Sequence, residues 1–400
     1  MPPKYLTEFY ALMNHSREIR RLIVNDFLKG LDIKNYTKPL SELQQNLLNI
    51  EHKGNKYKLY FDAEHYILAD LTYEISEIEK DILFCQSGFE AVDNWHLKKH
   101  LNFNAELDET IHFLNNQDIT HFISDRDGTI NNYCGRYQSS IQSAYNAIWL
   151  TLFAQRKTKS STILTSAPIA TPGILDVNVS PENNFILAGS KGRELIFEGK
   201  RYELEISAQQ KDKLQELEQK IKNLTGKDQY KKFTLIGSGL QMKFGQITLA
   251  RQDITDAIPK RESTNLLKVI QHLVSEVDPE GTFFRIEDTG KDIEIMLTVS
   301  DNRSTVKDFD KGDGLNFINK TLKLGLEHNN CLVCGDTHSD IPMVTKLLYR
   351  NDKVFSIFVT QNPVLIRDLK KKLDQNKLLI VSNPDVLVSA LGKFSDTNKK

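Results

Sequence analysis

The chain has 400 residues, with 52 basic and 53 acidic side chains and a net charge of −1. That length predicts two or three domains, and the balanced charge excludes a broad basic field for nucleic-acid binding. No apolar run approaches the ~20 residues of a membrane span, "MPPKYLTEFY" has no signal-peptide core, and four cysteines point away from a disulfide scaffold and toward a reducing, cytoplasmic setting.

Residues 1–105 read as an N-terminal helical domain. Phe9, Leu12, Ile19, Leu22, Ile23 and Phe27 give one helix, and "PLSELQQNLLNI" a short one with Pro39 near its start. "GNKYK" (54–58) reads as a connection. In "HYILADLTYEISEIEKDIL", Leu68, Leu71, Ile75, Ile78 and Ile82 fall three and four apart, which predicts one apolar helical stripe. Such a bundle serves stability, or it offers a surface for self-association or a protein partner.

From about residue 116 the pattern changes. Short apolar runs alternate with helical stretches: "THFISD", "STILTS" and "NFILAGSKG", then "NCLVCGD", "VFSIFVT" and "LLIVSN". This predicts an α/β, Rossmann-like core over 106–196 and 305–400 with a mostly parallel sheet. Ligands sit beyond the carboxyl ends of such strands, which places Asp125, Thr165 and Asp336 along one edge. Residues 197–304 differ. "QMKFGQITLARQ" and "DIEIMLTV" read as antiparallel strands, and "TNLLKVIQHLVSEV" and "QKDKLQELEQKIKNL" as amphipathic helices. That predicts an inserted α+β cap. The tail "SDTNKK" is expected to fray.

Chemistry concentrates in "HFISDRDGTINNYCG" (121–135), where a buried-strand pattern ends on Asp125 and Asp127. A calcium loop counted from Asp125 needs Gly at its sixth position and Glu at its twelfth, and those hold Ile130 and Arg136. An ordinary turn remains open for this stretch alone. The stretch is accompanied by "ILTSAP" (163–168), "KGDGLNFI" (311–318) and "GDTHSD" (335–340). In this order the four segments resemble the motifs of the haloacid dehalogenase superfamily.

The resemblance implies phosphoryl transfer, which needs a nucleophile, charge neutralisation and protonation of the leaving oxygen. Asp125 would attack phosphorus and Asp127 would carry protons. Thr165, or its neighbour Ser166, would bond a phosphoryl oxygen. Backbone N–H groups around Asp127 and Gly128 would cradle another, and Lys311 would offset charge. Converging carboxylates need a cation, so Mg2+ would be held by Asp125, the Asp127 carbonyl and Asp336, with Asp340 in support.

Further segments, "SDRDGTINNYCGRYQSSIQSAYNAIWL", "ILTSAPIATPGILDV", "AGSKGREL" and "VCGDTHSDIPMV", are similar to trehalose-6-phosphate phosphatases of the nematode-type branch. That resemblance spans roughly 105–400 and implies Mg2+-dependent hydrolysis of trehalose 6-phosphate to trehalose and phosphate. "TSAP" and "EDTGKDIEI" depart from the pattern of bacterial and plant relatives. Sugar selectivity falls to the cap, with Gln241, Lys243, Arg251, Glu287, Lys291 and Glu294 as candidates, and Lys191 and Arg193 at a core strand end. Competing readings are a phosphatase for sucrose phosphate or a glycosyl-glycerate phosphate, and an inactive scaffold using the N-terminal bundle. Cys331 and Cys334 read as core thiols on opposite strand faces rather than metal ligands.

Overall fold

A computed structural model of the chain describes residues 1–300, 306–307 and 309–396. The predicted 304/305 cap–core boundary and residues 397–400 of the tail lie outside the described residues. In chain order the elements of the N-terminal region are α1 (Leu6–Leu28), α2 (Thr37–Leu48), β1 (His52–Lys53), β2 (Lys56–Tyr60), β3 (Tyr66–Asp70), α3 (Thr72–Lys99) and α4 (Phe103–Asn115). The first half of the α/β core holds β4 (His121–Ser124), α5 (Ala144–Lys157), β5 (Ser160–Leu164), α6 (Ile174–Val177), β6 (Ile186–Gly189), β7 (Glu194–Phe197) and β8 (Lys200–Glu203). The insertion contains α7 (Ala208–Thr225), α8 (Asp228–Lys231), β9 (Leu240–Lys243), β10 (Gln246–Ala250), α9 (Lys260–Val277), β11 (Phe284–Asp288), β12 (Asp292–Leu297), β13 (Val299–Ser300) and β14 (Val306–Lys307). The chain returns through α10 (Lys311–Leu322), β15 (Cys331–Gly335), α11 (Ile341–Leu348), β16 (Val354–Val359), α12 (Pro363–Lys372), β17 (Leu378–Val381) and α13 (Pro384–Asp396).

The predicted architecture is present: an α/β core with a mainly parallel sheet, an α+β insertion and a helical N-terminal region. The core sheet runs β17-β16-β15-β4-β5-β6-β7-β8, parallel as far as β6. The β7–β8 hairpin adds two antiparallel strands, so the core sheet continues past the predicted boundary at 196/197. Two apolar layers cover the sheet. Phe122, Ile163 and Leu332 join Trp149 of α5 and Leu391 of α13 on one face. Ile123, Leu164 and Val333 join Leu315 of α10, Met343 of α11 and Leu365 of α12 on the other. Cys334 belongs to the first layer and Cys331 to the second, as residues three apart on a strand must.

The N-terminal region carries an element that helical periodicity did not predict. β1, β2 and β3 form an antiparallel sheet, and "GNKYK" is a Gly54 turn leading into β2. The helix expected from residue 65 onward starts only at Thr72, where Asp70 accepts from the Thr72 N–H at 2.8 Å. Before it, "YILAD" alternates: Ile67 and Ala69 are buried while Tyr66 and Leu68 are exposed. The Leu68–Leu71–Ile75 spacing therefore joins residues of two elements. Helix α3 is unusual beyond its start, because its buried side carries Glu74, Glu77, Lys80 and Asp81. Those charges face core segments, so this helix docks through polar contacts. Among the described residues no helix is long and apolar enough to cross a membrane.

Candidate active site

The central strand β4 delivers Asp125 to the carboxyl edge of the sheet, where its N–H donates to Cys334 O at 3.0 Å. The chain then winds tightly. The Arg126 carbonyl accepts from the N–H groups of Thr129, Ile130 and Asn131 at 3.3, 3.1 and 3.0 Å. Gly128 sits at φ +89°, and a Cβ there would lie 2.2 Å from Asp336 Oδ2. Only glycine accepts both that φ and that approach. The Gly128 N–H, expected to cradle a phosphoryl oxygen, instead donates to Asn131 O at 2.7 Å.

Lys311 opens α10, whose N-cap is Asp310, with Asp310 Oδ1 accepting from the Asp313 N–H at 2.9 Å. The start of this helix is wedged against the turn after β6, because a Cβ on Gly314 would lie 2.0 Å from Lys191 O. That contact aims the buried Lys311 side chain between two carboxylates. Its Nζ lies 2.5 Å from Asp125 Oδ1 and 2.5 Å from Asp340 Oδ1. Asp340 Oδ2 accepts from the Asp336 N–H, Thr337 N–H and Thr337 hydroxyl at 3.1, 2.9 and 2.9 Å. Asp340 is thus fully engaged as a support. Asp336 Oδ1 accepts from Thr129 Oγ1 at 3.2 Å.

Electrostatics follow from crowding. Burial is the main cause that pushes Asp125 up to about 6, opposed by Lys311. Burial, then the charges of Asp125 and Asp340, push Asp336 up to about 9. Lys311 moves the other way, raised by its two carboxylates against the opposing effect of burial. Asp125, Asp336 and Asp340 bring carboxylate oxygens within 4.8 Å of one another. Among the described residues, three carboxylates against one ammonium leave negative charge uncompensated. Asp125 Oδ2 and Asp336 Oδ2 are the oxygens least engaged with protein donors. Hard oxygen donors with excess negative charge fit a Mg2+-class cation.

Thr165, at the end of β5, is buried, and its Oγ1 accepts from the Ala167 N–H at 3.2 Å. That leaves its own hydroxyl proton for an incoming oxygen. Its carbonyl accepts from the Lys191 N–H at 2.9 Å, which ties the β5 and β6 ends together. Asp127 is bracketed from one side. Its Oδ1 pairs with the Arg126 guanidinium and accepts from Ser140 Oγ at 2.8 Å. Arg126 is buried, and its Nη2 also donates to Ser140 O at 2.5 Å. Sequence reasoning passed over Arg126 and Ser140. A basic residue between two aspartates was the available signal.

The cap sheet runs β11-β12-β10-β9, all antiparallel. Ile247, Leu249, Ile293 and Ile295 form its buried apolar side with the cap helices. The opposite side aligns Gln241, Thr248 and Glu294 across three strands, with Lys243 opposite Gln246. This polar side is covered: Gln241, Lys243, Gln246 and Thr248 are all buried. Burial pulls Lys243 down to about 8, Glu294 opposes this, and the positive charge of Lys191 adds to it. Lys191, at φ +60°, lies in the turn whose Ser190 Oγ accepts from the Phe244 N–H at 2.9 Å, which brings this core turn against β9 of the cap. The remaining candidates are held elsewhere. Arg193 donates to Gly245 O at 3.0 Å and lies over the Phe309 ring, linking core to cap. Arg251 bonds Ser263 and Asp288, Lys291 bonds Asp253 O and Asp256, and exposed Glu287 pairs with Arg285. His338 pairs with Asp368 at 3.2 Å.

Two family models match the chain. "Trehalose-6-phosphate phosphatase, C-terminal" covers residues 122–387, and the trehalose-6-phosphate phosphatase N-terminal helical bundle domain covers residues 5–103. A trehalose-phosphatase of Brugia malayi is 32% identical over 320 residues, which are 76% of this chain and 64% of that protein. Alpha,alpha-trehalose-phosphate synthase (UDP-forming) 2 of Caenorhabditis elegans is 32% identical over 412 residues, which are 97% of this chain but 33% of that protein. The chain spans about a third of the length of the synthases it matches. Among solved structures, trehalose-6-phosphate phosphatase of Aspergillus fumigatus aligns with a TM-score of 0.39 at 13% identity, over 73% of this chain and 97% of that one.

Proposed function

The chain belongs to the trehalose-6-phosphate phosphatase family, and from that premise we propose that it hydrolyses trehalose 6-phosphate to trehalose and phosphate. The observation that carries this reading is Asp125, buried at the end of β4 with Lys311 Nζ at 2.5 Å and Asp127 two residues on. A carboxylate oxygen of Asp125 attacks phosphorus while the bond from phosphorus to the sugar oxygen breaks, and Asp127 gives that oxygen its proton. The ionised Asp127 then takes a proton from water. The water oxygen attacks phosphorus, the bond to Asp125 breaks, and phosphate leaves.

Thr165 donates to a phosphoryl oxygen, and Lys311 offsets its charge. Asp125, the Asp127 carbonyl and Asp336 would hold Mg2+, which supplies further neutralisation of the phosphoryl oxygens when bound. Gln241, Lys243, Glu294 and Lys191 would read sugar hydroxyls, since a disaccharide is recognised by converging charged and amide side chains. Closure of the cap over the site would exclude water from the reacting centre. Four buried free thiols suit a reducing, cytoplasmic setting. Phosphate release across a panel of trehalose 6-phosphate, sucrose phosphate, a glycosyl-glycerate phosphate and glucose 6-phosphate tests the reading. Preference for trehalose 6-phosphate by ~10-fold or more, lost in Asp125→Asn, supports it. Activity that survives Asp125→Asn overturns it.

A further inference from the structure

We propose that Tyr73, in the first turn of α3 of the N-terminal region, is a positioning residue for Asp127. The inference rests on the reading of Asp127 as proton carrier. It starts from the fact that, among the described residues, the Asp127 carboxylate is held through one oxygen, by Arg126 and by Ser140 Oγ at 2.8 Å. A serine hydroxyl has one proton to give. For Ser140 to donate to Asp127, its other neighbours must donate to it. Arg126 Nη1 does so at 3.1 Å, and Asn131 Nδ2 at 3.3 Å.

Asn131 is the member that could fail. A carboxamide is nearly symmetric in shape, so only its partners decide which end faces Ser140. Turned over, it would present Oδ1 and draw the Ser140 proton away from Asp127. The Asn132 carbonyl, which accepts from Nδ2 at 3.1 Å, opposes that turn, and Tyr73 holds the carboxamide in place: its hydroxyl accepts from Nδ2 at 2.9 Å and lies 2.9 Å from Ile141 O and 3.1 Å from Asn131 Oδ1. Tyr73, Asn131, Ser140 and Asp127 therefore form one continuous chain of hydrogen bonds from α3 to the Asp127 carboxylate.

The rest of the same helical face holds the same stretch of chain. Glu74 accepts from Ser139 Oγ at 2.6 Å, and Glu77 accepts from Asn132 Nδ2 at 3.0 Å. Arg20 of α1 adds a bond to Ile141 O at 3.2 Å. The N-terminal helices thus grip residues 131–141 on the side away from Asp127, which gives the charged buried face of α3 a function in the reaction.

The test compares two leaving groups on the full chain. A sugar oxygen must be protonated as it departs; the nitrophenolate of p-nitrophenyl phosphate need not be. Tyr73→Phe keeps the ring, and first-turnover release of the leaving group is measured with both substrates alongside thermal melting. The expected result is a loss of about 10-fold with trehalose 6-phosphate, KM within about two-fold, and a much smaller loss with the nitrophenyl ester. Asn131→Leu should give the same selective loss, and the double variant should be no worse than either single one. Equal losses on both substrates, additive losses, or full activity in a Tyr73→Phe protein that melts normally would overturn the proposal. Asp127→Asn separates the two readings: if it shows no leaving-group selectivity, the proton-carrier role itself fails, and if it alone shows it, only the role of Tyr73 fails.

Discussion

Lys311 places its Nζ 2.5 Å from Asp125 Oδ1 while its backbone starts a helix pressed against the turn after β6. The ammonium is the one cation bonded to the Asp125–Asp340 pair among the described residues. In the proposed reaction it would both restrain Asp125 and offset charge that grows on the phosphoryl oxygens.

Lys311→Met keeps much of the volume and removes that charge. Turnover should fall by roughly 10²–10³, the scale for losing a preorganised electrostatic group. Phosphate release against trehalose 6-phosphate measures it. Lys311→Arg should rescue little, because a planar guanidinium cannot occupy a point between two carboxylates in the same way.

The acid cluster gives a pH dependence whose sign is fixed. Asp336 is pushed up to about 9 from an ordinary value of 3.8, mainly by burial and then by Asp125 and Asp340. The folded chelated protein therefore holds a proton that the unfolded chain has released, so this contribution is full below pH ~4 and is lost as pH rises through about 9. Melting temperature of the chelated protein should fall over that window, and Asp336→Asn should flatten the fall. Added Mg2+ should stabilise the parent protein at neutral pH by about 2.7 kcal/mol at a hundredfold excess over Kd, read as a higher melting temperature, and much less in the variant.

Much of this site was legible because its chemistry is local. Asp125, Thr165 and Asp336 each follow an apolar run, and strand ends of a parallel sheet converge. Lys311 was legible through "KGDG", where Gly314 permits the approach to Lys191 O. The bracket around Asp127 was not: Asn131 and Ser140 lie in the same run as Asp127 but carry no signal of their own, and Tyr73 comes from α3, so only the fold joins them. The same limit applies to the cap. Alternation named Gln241, Lys243, Arg251 and Glu294 alike, but Arg251 is tied to Ser263 and Asp288 at the end of its strand. Strand β3 was read as helix because Leu68 and Leu71 mimic a turn of spacing across two elements.

The cap face makes a separable forecast. Lys243 is buried on the same side of the cap sheet as Glu294, away from the Asp125 centre in sequence and on a different domain. Lys243→Ala should raise KM for trehalose 6-phosphate by ~10-fold or more while first-turnover hydrolysis of p-nitrophenyl phosphate stays within about two-fold. Arg251→Ala should not show that split, because its partners lie inside the cap. A KM effect of equal size in both variants would remove the distinction drawn between them.

The N-terminal helices should matter to stability through one buried pair in particular. Lys80 of α3 is fully buried, with Nζ 2.7 Å from Asp385 Oδ1 at the start of α13 and 3.0 Å from Glu77 Oε2. Asp385 is held low against the penalty of burial, chiefly by Lys80 and then by His96. Removing the ammonium leaves two buried carboxylates facing each other, which costs about 3–5 kcal/mol when one partner of a buried pair is lost. Lys80→Met should therefore lower the urea midpoint sharply with little change in slope. Lys80→Met combined with Glu77→Leu and Asp385→Leu should recover much of that loss, because an apolar replacement of the whole cluster has no stranded charge. A chain starting near residue 105 lacks Lys80 and Glu77 altogether. It exposes Asp385 and the Asn131–Ile141 stretch together, so it should show lowered stability and impaired turnover in the same protein, measured by melting and by phosphate release.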